Sequence, residues 1–310
     1  PVSARLAALR QHMQQHGIAA CLIPSSDPHL SEYLPGYWQG RRWLSGFHGS
    51  VGTLIVTQRF AGLWADSRYW VQAETELAGS EIQLMKIQTV ASPLHLEWLA
   101  ANLAAGDVLA VDGDVLGLAA ARALQTALDK AGATLRTDLD PLAAIWAERP
   151  ALPAAAVYEH LPPFASTPRR DKLAAVRAAM QQHGADAHFI STLDDIAWLF
   201  NLRGADVNYN PVFIAHALLR HDGATLFVGA GKIDAALAAT LAADGVSVAD
   251  YHAAKPALAA LPAGSRLLLD PRRITLGLRQ AVADGVQVIE AINPSTLMKS
   301  RKTAQEAAFV

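Results

Sequence analysis

The sequence holds little cysteine, little net charge and no long apolar run, and each shortage excludes a class of protein. The single cysteine among 310 residues, Cys21, cannot form an internal disulfide and lies in an apolar run. We therefore expect a buried core residue and a reducing compartment. No apolar run reaches the roughly 18 residues that span a bilayer, and the N-terminus lacks a signal-peptide pattern. These features predict a cytoplasmic protein without a membrane partner.

Basic residues are spread along the chain rather than clustered. The formal net charge is -2, and the arginine pairs are Arg41-Arg42, Arg169-Arg170 and Arg272-Arg273. A non-specific nucleic-acid surface needs clustered Lys and Arg. We therefore expect no nucleic-acid partner, and we expect the three arginine pairs to be solvated.

Patterns typical of catalytic centres are also missing. The sequence has no Gly-x-Ser-x-Gly elbow and no phosphate-binding Gly-Lys-Ser/Thr loop. His12 and His16 have the helical spacing of metal ligands but lack a third ligand, so a solvated helix face is favoured. Asp112, followed by Gly113, is expected to turn the chain rather than to bind a cation. No complete catalytic or metal site is visible in this sequence.

One five-residue stretch occurs twice and organises the chain. Met-Gln-Gln-His-Gly occupies residues 13–17 and returns at 180–184, 167 positions later, and the flanking residues 5–10 and 172–177 match at the same offset. A repeat of domain length indicates a duplicated domain rather than a solenoid. In each copy the glycine suits the left-handed position that follows the last turn of a helix.

The two halves predict an α/β fold. Each combines hairpin strands, such as 53–57 with 62–65, with strands joined through helices. This combination calls for two tandem domains, each a mixed sheet with helices on both faces. Asp140-Pro141 in the first half and Asn293-Pro294 in the second each predict the start of a short helix.

Proline content and the chain end set the expected domain boundaries. We place domain I at residues 1–150, a proline-rich linker at 151–166 and domain II at 167–299. Residues 300–310 are expected to begin a further, missing domain. Thr303 and Glu306 form a capping box there, and the segment is apolar only at its tip, residues 309–310.

Two polar groups are candidates for function. Asp66, Arg68 and Tyr69 lie at a strand-to-helix junction and can form a fixed polar network, for which an internal clamp is favoured over a ligand site. Arg203, beside a glycine, can reach a peptide carbonyl or carboxylate, or can pair with Asp206. The sequence leaves these two alternatives for Arg203 open.

At these residues the chain resembles a known family. Residues 45–53 (SGFHGSVGT) and 63–73 (LWADSRYWVQA) resemble the first domain of the aminopeptidase P branch of the creatinase/prolidase family. Residues 193–204 (LDDIAWLFNLRG) and 209–213 (YNPVF) resemble the second domain of its long, three-domain members. His48 departs from the family pattern, because an acidic residue is common at that position.

The resemblance implies a fold and an activity. It implies two RNase H-like creatinase N-terminal domains, followed in the complete protein by a pita-bread catalytic domain. That third domain holds two divalent metal ions, usually manganese, on two aspartates, one histidine and two glutamates. The complete enzyme removes an N-terminal residue from peptides with proline at the second position.

The resemblance also divides the expected roles. We expect this chain to be inactive and metal-free, to pack with its own C-terminal catalytic domain, to shape access to the cleft and to contribute to homo-oligomer contacts. Arg203, His48 and Trp43 are the expected cleft-facing residues. The alternative is a free-standing binding or scaffold module of the same fold, which the gene sequence after residue 310 would distinguish.

Overall fold

The computed structural model describes residues 1–308, which form two units. Unit 1 comprises Pro1–Asp27 and Glu32–Leu152, and unit 2 comprises Pro28–Ser31 together with the chain from Pro153 onward. The tetrapeptide Pro28–Ser31 therefore belongs to unit 2 although it lies early in the sequence. The expected helix tip at residues 309–310 lies outside the described residues. No helix within residues 1–308 is both long and apolar enough to cross a bilayer.

Unit 1 is a mixed six-stranded sheet with helices. Its strands are ordered β4-β3-β2-β1-β5-β6, and β1 pairs antiparallel with β2 but parallel with β5. The elements are α1 (Val2–Gln15), β1 (Ala20–Ile23), α2 (Gly40–Ser45), β2 (Thr53–Thr57), β3 (Ala61–Asp66), α3 (Trp70–Glu76), β4 (Gln83–Ile87), α4 (Leu94–Asn102), β5 (Val108–Ala110), α5 (Leu118–Ala131) and β6 (Thr134–Arg136).

Unit 2 repeats this topology. Its six-stranded sheet has the order β12-β11-β10-β8-β13-β14, and β7 and β9 form an additional antiparallel pair. The elements are β7 (Tyr158–Glu159), α6 (Arg169–Gln182), β8 (Ala187–Ile190), α7 (Leu193–Phe200), β9 (Leu202–Arg203), β10 (Ala215–Arg220), β11 (Ala224–Val228), α8 (Ala235–Ala243), β12 (Val246–Asp250), α9 (Ala254–Ala259), β13 (Arg266–Leu269), α10 (Leu276–Ala281), β14 (Gln287–Glu290), α11 (Pro294–Ser300) and α12 (Ala304–Ala307).

Matching strand orders confirm the duplicated mixed sheet. The repeated motif is a helix C-terminus in both units, where Gly17 and Gly184 have φ values of 64° and 66°. The amide that follows each glycine donates to the carbonyl of the motif methionine, at 2.9 Å in the first copy and 2.8 Å in the second. The capped turn is therefore the same in both.

The buried stripe of the opening helix is duplicated as well. Leu6, Leu9 and Met13 of α1 are fully buried, and each has a fully buried counterpart 167 positions later on α6. Complete burial of an aliphatic side chain contributes about 1.5–3 kcal/mol to folding. The expected burial of Cys21 in β1 is also confirmed, and burial raises the pKa of its thiol to about 12. The counterparts on α6 are Leu173, Val176 and Met180.

Three local features near the domain boundaries bear on the predictions. The short helix expected at Asp140-Pro141 is wrong, because residues 141–145 form turns in which the Asp140 carboxylate accepts from the Leu142 amide at 2.9 Å. The segment expected to be a linker contains β7, which pairs with β9 of unit 2. The capping box of Thr303 and Glu306 is confirmed at the start of α12.

Candidate functional site

The glycine-rich loop of unit 1 is held by a buried arginine. Arg41 Nε donates to Ser25 Oγ at 3.0 Å, and its two terminal nitrogens donate to the carbonyls of Phe47, at 2.6 Å, and Gly49. A side chain at Gly49 would collide with the Phe47 and Tyr69 rings. Burial lowers the pKa of Arg41 to about 10, so the guanidinium stays charged at neutral pH. The loop is thus fixed from inside the unit.

His48 and Trp43 occupy different environments in unit 1. His48 is about half exposed, and its amide donates to a Glu76 carboxylate oxygen at 2.7 Å while Nδ1 lies 3.3 Å from the other oxygen. Trp43 is partly buried and stacks on Trp146 with ring centroids 4.9 Å apart. The Arg5 guanidinium lies 4.8 Å from the Trp43 ring centre. His48 presents a polar surface, whereas Trp43 completes a packed aromatic layer.

Asp66, Arg68 and Tyr69 form a local network at the end of β3. Arg68 donates Nε to one Asp66 oxygen at 2.8 Å and Nη2 to the other at 3.0 Å, and its amide bonds the same carboxylate. The side-chain bond from Arg68 is the main reason why the pKa of Asp66 is lowered. The Tyr69 hydroxyl shares a 2.5 Å hydrogen bond with Ser50. These contacts tie the strand end to the following turn and to the glycine-rich loop.

In unit 2, three cationic side chains converge on the C-terminal turn of α7. The carbonyls there carry a partial negative charge, and those of Ala197 and Trp198 also accept from the Asn201 amide. Asn201 ends the helix in a left-handed conformation at φ 50°. Each side chain donates to a backbone carbonyl: Arg169 to that of Phe200 at 2.5 Å, Lys172 to that of Trp198 at 2.9 Å, and Arg203 to that of Ala197 at 2.8 Å.

Two of these cations, Lys172 and Arg203, have lowered pKa values. Burial lowers the pKa of Lys172 to about 8, and its ammonium also donates to Asn201 Oδ1 at 2.7 Å. Burial also lowers the pKa of the half-buried Arg203. Arg203 Nη1 donates to two carbonyls, those of Ala197 and Leu202. The Arg203 guanidinium is therefore anchored at one nitrogen.

Asp206 pairs with a residue other than the one suggested by sequence. Its carboxylate forms a buried ion pair with Lys232 and accepts from the Ile214 amide at 2.7 Å. Both charged side chains are nearly inaccessible, at 0% for Asp206 and 2% for Lys232. The alternative in which Arg203 pairs with Asp206 is therefore wrong. The ion pair instead fixes the loop that follows β9.

Asp112 lies where the carboxyl ends of β1 and β5 meet. It lines a cavity of about 30 Å³ together with Ile23, Asp140 and Arg149. Burial, with the nearby Asp140 charge, raises the pKa of Asp112 to about 7. Its carboxylate accepts from the Asp114 amide at 2.9 Å, which confirms the predicted turn. The cavity has room for little more than one water molecule, so it is not a substrate site.

Two arginine pairs were wrongly expected to be solvated. Arg41 and Arg169 are each 5% exposed, because their guanidinium groups enter the protein to meet backbone carbonyls. Their partners in sequence, Arg42 and Arg170, do stay at the surface or close to it. Two adjacent arginines in a sequence give no sign that the side chain of one of them is buried. Lys232 and His29, both buried, were likewise missed, since their partners lie far away in sequence.

The resemblance assigns the metal centre to a further domain, and no ligand of that centre was expected in this chain. Within residues 1–308, no three His, Cys, Asp or Glu side chains are placed where they could hold a metal ion. The polar residues described above are instead engaged with backbone carbonyls, amides and one another. Of the residues singled out in the sequence, His48 in unit 1 and Arg203 in unit 2 each keep part of the side chain exposed.

Comparison with known proteins agrees with the duplication. The Creatinase/Prolidase N-terminal domain matches twice, over residues 5–144 and 148–306. Rat Xaa-Pro aminopeptidase 2 is 31% identical over 318 residues, covering 99% of this chain and 46% of the rat protein. Xaa-Pro aminopeptidase 1 of Dictyostelium discoideum is 30% identical over 315 residues, covering 98% of this chain and 50% of that protein.

A solved structure matches both units together. X-prolyl aminopeptidase from Caenorhabditis elegans, described as a cytosolic enzyme with a di-nuclear active site, has a TM-score of 0.90 and 26% sequence identity. The match covers 99% of this chain and 52% of the nematode chain. The chain thus spans about half the length of the relatives it matches. The sequence repeat, the matching sheet topology and the two domain matches agree. The chain belongs to the Creatinase/Prolidase N-terminal domain family and carries two such domains in tandem.

Proposed function

We propose that this chain is the N-terminal part of an Xaa-Pro aminopeptidase and that it cleaves no peptide by itself. The observation that carries the proposal is the match of nearly the whole chain to about half of a longer X-prolyl aminopeptidase. The homologues are Xaa-Pro aminopeptidases, so the activity proposed for the complete protein is removal of an N-terminal residue ahead of proline. Most of the polar groups described above bond to the backbone or to one another, which supports a structural role rather than a chemical one.

The proposed division of labour assigns the chemistry to a C-terminal catalytic domain. That domain would hold two divalent metal ions, with manganese proposed as the metal, and would act on peptides with proline second. The two domains described here would shape access to its cleft and contribute to subunit contacts in a cytoplasmic homo-oligomer. The described residues hold the surrounding structure and take no catalytic step.

An aminopeptidase assay tests this division. The 310-residue chain and the complete gene product would each be incubated with an Xaa-Pro tripeptide and Mn²⁺, and a peptide with alanine in place of proline would serve as the control. We expect the complete gene product to cleave only the proline peptide and the 310-residue chain to match buffer alone. Metal-dependent cleavage by the shorter chain would contradict its supporting role. No further coding sequence after residue 310 would instead favour the scaffold module.

Arg203 provides a residue-level prediction for the complete gene product. We propose that Arg203, with His48 and Trp43, faces the cleft, because its guanidinium is half-buried and anchored at Nη1. Arg203→Ala should lower kcat/KM roughly tenfold, the scale of one hydrogen bond to a charged group. Arg170→Ala, which removes a largely exposed arginine of the same unit, is the matched control. If Arg203→Ala and the control have equal thermal stability and equal kinetics, the proposal that Arg203 faces the cleft is wrong.

A further inference from the structure

A stack of three buried rings holds the tetrapeptide 28–31 in unit 2. The His29 and His216 rings stack with centroids 4.5 Å apart, and Tyr251 stacks on His216 at 5.1 Å. All three side chains are buried. His29 comes from the early part of the sequence, His216 from β10, and Tyr251 from the 3-10 turn Tyr251–Ala253. The cluster therefore joins residues that lie far apart along the chain.

The hydrogen bonds of His29 fix its neutral form. Its Nδ1 lies 2.8 Å from the Ser191 carbonyl oxygen, which can only accept, so Nδ1 carries the proton. Its Nε2 lies 2.8 Å from the Tyr251 hydroxyl. In the neutral ring Nε2 is an acceptor, so Tyr251 donates to it. A second proton on His29 would reverse this bond and leave the tyrosine proton to find another acceptor in a buried site.

The charges around the pair also oppose protonation. His216 Nδ1 shares a 2.9 Å hydrogen bond with Ser191 Oγ. Burial, then the adjacent His29 and Lys255, hold the pKa of His216 well below its usual range. Tyr251 and Lys255 also face the rings, and Asp27 and Glu32 flank the tetrapeptide in sequence. A proton on either imidazole would therefore meet an unfavourable environment.

The tetrapeptide itself is strained. Leu30 has a φ of 53°, a left-handed conformation that an L-residue with a branched side chain seldom adopts. Such a conformation persists only where surrounding contacts hold it. The contacts of the neighbouring His29 provide that restraint. Weakening them would favour relaxation of the tetrapeptide toward ordinary backbone angles.

We propose that residues 28–31 form a pH-sensitive strap that unit 2 holds while His29 and His216 are neutral and releases when they gain a proton. Once the strap is released, the two histidines meet water and gain protons near pH 6.5, as unperturbed histidines do, so mild acid favours the released state. The strap is a conformational device within unit 2, and its operation does not depend on the function proposed above. The chain passes from one unit to the other at residues 27–28, 31–32 and 152–153. Release of the strap would loosen the first two of these connections and leave the third unchanged.

Amide hydrogen exchange of the 310-residue chain tests the strap. Exchange of amides 29–31 would be compared at pH 7.5 and 5.5, corrected for the intrinsic pH dependence, with α1 of unit 1 as the internal reference. We expect protection of the strap to fall at least tenfold at pH 5.5 while that of α1 holds. In His29→Gln, an amide replaces the imidazole and supplies a donor and an acceptor without a site for a further proton. In this variant, protection of the strap should not fall between pH 7.5 and pH 5.5.

Two further variants complete the test. His216→Phe keeps a ring in the stack and removes the second proton site, so strap protection should fall less at pH 5.5 than in the wild type. This variant tests the proposal independently of how well glutamine fits at residue 29. His188→Asn, which alters another buried histidine of unit 2, should keep the full fall. The proposal is overturned if the wild-type strap and α1 lose protection together, if neither does, or if His216→Phe responds as the wild type does.

Discussion

Replacing Lys232 with methionine should lower the free energy of unfolding of unit 2 by about 3–5 kcal/mol. The methionine fills a similar volume but leaves the Asp206 carboxylate buried without its cation. Asp206 is also bonded to the Ile214 amide, so the charge cannot leave the interior without disrupting the loop that follows β9. Urea denaturation at neutral pH, followed by hydrogen exchange of unit 2 peptides, measures the loss.

Two controls separate burial of the charge from loss of an ion pair as such. The double variant Asp206→Asn/Lys232→Met removes both charges and keeps an acceptor for the Ile214 amide, so it should recover most of the lost stability. Lys86→Met breaks the Lys86–Glu74 pair, whose side chains are 49% and 54% exposed, and should cost less than about 1 kcal/mol. Equal losses for Lys232→Met and Lys86→Met would contradict the argument.

Acid should weaken unit 2 through His188, by about 3 kcal/mol between pH 6.5 and pH 4. The ring is fully buried in β8, and Nδ1 donates to the Leu268 carbonyl at 2.9 Å. Burial is the main reason why the pKa of His188 is lowered to about 4; the Leu268 carbonyl, Asp195 and Asp270 oppose the change, and His183 adds to it.

The direction of the effect follows from proton binding. The unfolded chain binds a proton at His188 below about pH 6.5, whereas the folded chain does not do so until about pH 4. The contribution of neutral His188 is therefore complete above pH 6.5 and declines as the pH falls, by about 1.4 kcal/mol for each pH unit.

A neutral replacement isolates this residue from other titrating groups. His188→Asn offers an amide donor near the position of Nδ1 and cannot gain a proton, so its stability should decline less steeply between pH 6.5 and pH 4 than that of the wild type. Denaturation with urea at several pH values gives the two slopes. Parallel curves would show that His188 is not the responsible group.

Local chain chemistry was sufficient to predict most of the fold. Gly17 and Gly184 end equivalent helices because a positive φ suits glycine, and the repeat in the sequence predicts two matching mixed sheets. The buried stripe of α1 follows from helical spacing alone. Asp140-Pro141 misled because the Asp140 side chain bonds the Leu142 amide and closes a turn, whereas Asn293-Pro294 does open α11.

The polar anchors could not be predicted in the same way. Asp206 and Lys232 lie 26 positions apart, and His29 and Tyr251 lie 222 apart, so neither helical nor strand periodicity links them. Arg41 belongs to a doublet that resembles solvated surface. Its burial depends on carbonyls that converge only after the glycine-rich loop folds. For this reason the candidate site residues could be named from the sequence, but their partners could not.

The placement of residues 28–31 has a consequence for modularity. A fragment beginning at residue 153 would contain every strand of the second sheet, yet it would lack His29. The Ser191 carbonyl and the Tyr251 hydroxyl would lose a shared partner, and one face of His216 would lose its stacked ring. The second copy of the duplication therefore does not supply all of its own buried contacts. Excision or domain exchange at the boundary seen in the sequence would divide a unit that folding assembles from two separate stretches.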